Sequence, residues 1–158
     1  ICMRRKDREV TDNKRINEII MSCDTLRLGI IDGSVPYIVP VSFGYEEKQG
    51  KKIFYFHGAG EGRKIELLKK NSRAGFELDT ACEIVEGDKA CQFTAMYKSV
   101  IGSGEVEFIY DREEKKKALD IIMSHYTDRK DLEYADNMID RVCVFKLEVK
   151  EISCKEHI

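Results

Sequence analysis

No apolar stretch among the 158 residues approaches the length needed to cross a bilayer, so a membrane-spanning helix is not expected. Nor is charge of one sign in excess: 27 Lys and Arg stand against 29 Asp and Glu, a formal charge of −2. The field that would draw nucleic acid through its phosphates is missing, and nucleic acid is set aside as a partner. The stretch from Ile1 to Lys14 is rich in charge and lacks an apolar core followed by a cleavage site, so no secretory signal is expected. Ile1 and Cys2 precede Met3 and are expected to lie outside the native chain. No C-x-x-C pair occurs among Cys2, Cys23, Cys82, Cys91, Cys143 and Cys154, and His57, His125 and His157 are far apart in sequence. The cysteines therefore read as reduced thiols in a cytoplasmic protein, with neither a disulfide framework nor a metal site expected. Internal repeats and linkers are also missing, so residues 1–158 are expected to form one domain.

What is present is a string of strands with few helices. Thr11 or Asp12 can cap a helix with Ile16, Ile19, Ile20 and Cys23 on one face. Leu26 to Ile31 and Tyr37 to Phe43 then read as a hairpin around Asp32-Gly33-Ser34. Pro40 confines the second strand to an edge or a bulge, because proline cannot donate to a ladder. After a polar turn from Glu46 to Gly50 comes the run from Ile53 to His57, β-branched and aromatic as a buried strand should be. Arg63 to Asn71 reads as helix, Arg73 to Asp79 as strand, and Cys91 to Tyr110 as one or two long bent strands with a break near Lys98. Asp111 or Arg112 opens a helix with Ala118, Leu119, Ile122, Met123 and Tyr126 as its apolar stripe and Glu113 to Lys117 as its solvated start. Val142 to Val149 alternates as a half-buried closing strand. Six or so strands without repeated strand-helix alternation predict a mainly β antiparallel barrel with a few helices, not a doubly wound parallel sheet.

The strongest local signal is Gly58-Ala59-Gly60-Glu61-Gly62-Arg63-Lys64, which joins a buried strand to a helix. Its glycines let backbone amides approach a ligand, and a helix N-terminus presents free N–H groups and a positive dipole end. Basic residues are favoured at the opposite end of a helix, so Arg63 and Lys64 in the first turn point to an anion. The spacing is neither G-x-x-x-x-G-K-[ST] nor G-x-G-x-x-G, which leaves a mononucleotide phosphate as the better fit. A tight turn alone would also explain the glycines. His57, at the strand end beside this loop, is the catalytic candidate, read as an acid near neutral pH or as a hydrogen-bonded core residue. His125 and His157 read as surface or tail residues.

Four blocks then carry a resemblance: Tyr37 to Tyr45, Tyr55 through Lys64, Phe76 to Asp79, and Tyr97 to Gly104. They resemble the pyridoxamine 5′-phosphate oxidase-like flavoproteins, in their nitroimidazole-resistance branch. The resemblance implies a six-stranded antiparallel split β-barrel that dimerises, with FMN in a groove between subunits and its phosphate at Gly62, Arg63 and Lys64. It further implies that Pro40, Val41 and Ser42 line the flavin, the first two through backbone, together with Ser99 and Val100, and that His57 stands beside it.

The expected function is that of an FMN-dependent oxidoreductase acting on a nitroimidazole or another small electron-poor substrate. Electrons would come from a nicotinamide docking transiently or from a partner protein, since no nicotinamide fingerprint is visible. The alternative is a non-catalytic carrier holding flavin or haem, with His57 as axial-ligand candidate. A third reading is a structural dimer with a vestigial groove.

Overall fold

The computed structural model describes residues 3–80 and 82–158; Ile1 and Cys2, and with them the expectation about the native start, lie outside the described residues. Along the chain follow β1 (Glu9–Val10), α1 (Asn13–Met21), β2 (Leu26–Ile30), β3 (Tyr37–Val41), β4 (Gly44–Lys48), β5 (Lys51–Gly58) and α2 (Arg63–Lys70). After them come β6 (Arg73–Asp79), β7 (Glu83–Val85), β8 (Thr94–Ile109), α3 (Arg112–Tyr126), α4 (Asp136–Arg141) and β9 (Cys143–His157).

Every strand pair is antiparallel, and the main path runs β3-β2-β6-β8-β9-β5-β4, with β1 added to β9 and β7 to β8. The two ends of that path, β3 and β4, are consecutive in sequence and separated only by Ser42 and Phe43. The sheet therefore curls until its edges meet at a covalent corner without a ladder between them, which is the split of a split barrel. The architecture agrees with the sequence reading, but the path holds seven segments where six were expected.

Alternation decides what lies inside. Leu26, Leu28 and Ile30 of β2, Phe54 and Phe56 of β5, Phe76 and Leu78 of β6, and Phe145 and Leu147 of β9 point into one cluster, closed by Ile16, Ile19 and Ile20 of α1 and Ile65 and Leu68 of α2. On the other face of β5, Ile53 and Tyr55 pack under Ala118, Leu119 and Ile122 of α3. β5 is thus buried on both sides, as its unbroken aromatic run suggests. Asp12 and Asp111 cap α1 and α3 by accepting from the Arg15 and Glu114 backbone N–H groups.

Several expectations are corrected. Glu46 and Glu47 lie in β4, not in a turn, because Glu46 accepts from the Tyr55 hydroxyl and Glu47 pairs with Lys52 across the hairpin. The turn is confined to Gln49 and Gly50, with φ of 52° and 75°. β8 starts at Thr94 and does not break at Lys98; the irregularity falls at Ser103/Gly104, where Lys150 is the extra residue on β9. That bulge lets β9 continue to His157, so the closing strand is far longer than Val142 to Val149. Lys115 is not solvated: it is buried, and its Nζ donates to the carbonyls of Ile139 and Val142 at 3.1 and 2.9 Å. His125 is half-buried against the Phe43 ring, centroids 4.3 Å apart, and its Nε2 meets the Cys23 carbonyl at 2.7 Å. His157 belongs to β9, with Nδ1 2.7 Å from the Ala95 carbonyl.

The corner between β3 and β4 depends on Gly44, where a β-carbon would stand 2.6 Å from the Ile122 backbone nitrogen. Because a helix backbone cannot yield as a side-chain tip does, Gly44→Ala is expected to destabilise the fold by about 1–3 kcal/mol. A lowered urea midpoint with unchanged slope checks this.

Candidate functional site

At its end β5 leaves the core: Ile53 through Phe56 are buried, whereas His57 is exposed and Gly58 half-exposed. The loop to Gly62 follows, and α2 begins there. Gly62 is the N-cap, with φ of 118°, a backbone region that favours glycine, and no side chain caps the helix. In α1 and α3 an aspartate accepts from one first-turn N–H, whereas in α2 no side chain does, so the first-turn N–H groups at Gly62, Arg63 and Lys64 are open to a ligand.

Arg63 is held from below. Its guanidinium pairs with Asp32, just beyond β2, and sits over the Tyr37 ring, 5.7 Å from the centroid. One Nη group is used on Asp32, leaving further donors of the fork available. Lys64 turns the other way, toward β5: its Nζ is 6.0 Å from the Phe145 centroid, and a β-carbon on Gly58 would be 3.7 Å from it. Partial desolvation, and secondarily the charge of Lys64, push the His57 pKa below its usual value. Near neutral pH its imidazole is therefore uncharged, a ligand or acceptor first and a proton donor only on the acid side.

The remaining site candidates form two groups. Pro40, Val41 and Ser42 follow Tyr37 by three to five residues, which places them roughly 10–17 Å along the strand from the phosphate end. β3 is the end of the sheet path, so its outer edge offers unpaired backbone groups between these two points. Ser99 and Val100 lie on β8, across β2 and β6 from β3, at about 14 Å by strand spacing. Ser99 is half-exposed opposite Asp79 and Lys155, while the Val100 side chain is fully buried and leaves only its backbone for contact. One chain thus brings together His57, Gly62, Arg63 and Lys64 with the β3 edge, but not Ser99 and Val100. Asp32 and the ring of Tyr37, which fix Arg63, were not read as site residues; Asp32 showed only a turn signal.

Among the described residues no group of three or more His, Cys, Asp or Glu side chains is placed to hold a metal ion, and no helix is long and apolar enough to cross a membrane. Cys23, Cys82, Cys91, Cys143 and Cys154 are free.

The profile of the family described as pyridoxamine 5′-phosphate oxidase matches residues 12–156. Among curated proteins none matches the chain. Among solved structures, a protein from Bacteroides thetaiotaomicron described as a candidate 5-nitroimidazole antibiotic resistance protein is 36% identical, with a TM-score of 0.82 over 93% of this chain and 85% of that one. A flavocytochrome from Azotobacter vinelandii is 21% identical, with a TM-score of 0.82 over 99% of this chain and 72% of that one. An FAD- and haem-binding protein from Mycobacterium smegmatis is 16% identical, with a TM-score of 0.82 over 94% of this chain and 73% of that one. These last two likenesses establish the shared fold alone.

Proposed function

Because the chain belongs to the pyridoxamine 5′-phosphate oxidase family, we propose that it is an FMN-dependent oxidoreductase acting on a small electron-poor substrate such as a nitroimidazole. The observation that carries this reading is the uncapped N-terminus of α2, with Arg63 and Lys64 in its first turn and no side chain to compete for its amides. A phosphate there accepts from the backbone N–H groups and takes charge-assisted bonds from both side chains. The open edge of β3, Tyr37–Val41, and the Ser42 that follows it would hold the ribityl chain and ring of a mononucleotide. Pro40 and Val41 contribute backbone, and Ser42 a hydroxyl. A bound flavin supplies the electron chemistry; the protein fixes its phosphate, shapes access and places His57 near the substrate. A nicotinamide or a partner protein supplies the electrons.

A homodimer belongs to the same proposal. Ser99 and Val100 are too far across the sheet to reach a ligand on their own β3 edge, so they meet it only from a second copy. The exposed Ile38 and Ile101 lie on the outer face of the same sheet, as an interface requires. A second reading is a carrier of flavin or haem without turnover, favoured by the exposed, uncharged imidazole of His57, which suits an axial ligand.

An absorption spectrum with sedimentation tests these together. The proposal expects the paired near-ultraviolet and blue bands of flavin on a species of twice the chain mass. A single intense haem band would favour the carrier, and a flavin-loaded monomer would overturn the groove between subunits.

A further inference from the structure

A second concentration of positive charge lies behind the glycine loop. A cavity of 200 Å³ opens between the end of α4, the start of β9 and the last residues of β8, with Gly60 as its wall on the loop side. Lys69, Lys115 and Arg141 line it; the one carboxylate in its lining, Asp140, is already held by both oxygens to the Arg112 guanidinium at 2.8 and 2.9 Å. Three cationic residues therefore line the cavity with no free carboxylate among its described lining residues, in a molecule whose formal charge is −2. They are not loose. Lys115 is buried and spends two of its three N–H groups on the carbonyls of Ile139 and Val142, leaving one. The Lys69 ammonium is 5.8 Å from the Phe108 ring centroid. The Arg141 backbone lies beside the loop, its carbonyl oxygen 4.0 Å from where a β-carbon on Gly60 would stand.

The geometry points to a second phosphate-binding site in this cavity, formed by Lys69, Lys115 and Arg141 and separated from the Arg63 site by the glycine loop. One arginine and two lysines lining a small space whose only lining carboxylate among the described residues is already engaged suit a compact, multiply charged oxyanion. The volume is too small for a nucleoside. The phosphate has two possible sources: free phosphate, or the second phosphate of a dinucleotide flavin reaching past Gly60.

Titration of the flavin-free protein with inorganic phosphate, followed by calorimetry, tests the site. In Arg63→Ala, where the loop site is weakened, a phosphate-binding event should persist. Adding Lys69→Ala and Arg141→Ala, both at exposed positions, should weaken that event at least tenfold. An unchanged phosphate affinity, or no phosphate binding in Arg63→Ala at millimolar concentration, would overturn the proposal. The Lys69→Ala/Arg141→Ala protein identifies the source. A tenfold loss of FAD affinity with FMN affinity kept assigns the second phosphate of a dinucleotide, and both flavin affinities kept assigns free phosphate. Equal loss of FMN and FAD affinity would also overturn it, by placing these side chains in the loop site itself.

Discussion

Replacing Arg63 by alanine is expected to weaken FMN binding by about ten- to a hundredfold while the fold survives. A lost hydrogen bond to a charged group typically costs about 1.5–3 kcal/mol, which is that range of affinity. The fold should survive because the side chain is exposed and its pair with Asp32 is a surface pair, a class worth little to stability. Asp32 shapes the size of the effect. Without the guanidinium its carboxylate stands unneutralised beside the phosphate, so part of the loss is repulsion. The double variant Arg63→Ala/Asp32→Asn should therefore recover some of the affinity lost in Arg63→Ala, and flavin-fluorescence titration of both variants checks this. An Arg63→Ala protein that binds FMN as tightly as the parent would remove the guanidinium from the site.

His57→Ala is expected to keep the flavin but to slow reduction of a nitro compound by about a hundredfold, the ordinary size of a lost general acid. The pH dependence gives the sign. Desolvation, and then Lys64, lower the His57 pKa, so its protonated form is populated only on the acid side of the usual histidine range. If His57 donates a proton to the substrate, kcat/KM falls as pH rises through that lowered pKa and levels off above it. Steady-state rates from pH 5 to pH 8 should show this limb in the parent and lack it in His57→Ala. Loss of the prosthetic group in His57→Ala would instead mark an axial ligand, and normal turnover would make the histidine a structural residue.

The parts of this picture that were legible in sequence are those set by neighbours in the chain. Asp12 and Asp111 announce their helices because an N-cap needs only the next three residues. The Gly58-to-Lys64 segment announces a loop and helix start for the same reason, and the inverted placement of Arg63 and Lys64 is visible without coordinates. Contacts between distant segments were not legible. Lys115 occupies the position of a solvated first-turn lysine and is buried only because α4, which starts ten residues after α3 ends, brings the carbonyls of Ile139 and Val142 over it. The bulge at Lys150 that extends β9 arises from register against β8, which alternation alone does not fix. The pairing of Arg63 with Asp32 joins the start of α2 to the turn after β2, and nothing local at Asp32 distinguishes it from any other turn aspartate.

The central claim, that Gly62, Arg63 and Lys64 hold a flavin by its phosphate, is tested most directly by comparing FMN with riboflavin, which differs by that group alone. Titration of the flavin-free protein, followed by quenching of flavin fluorescence, is predicted to give at least tenfold tighter binding of FMN, the gap closing in Arg63→Ala. Equal affinities for FMN and riboflavin in the parent protein would contradict the account.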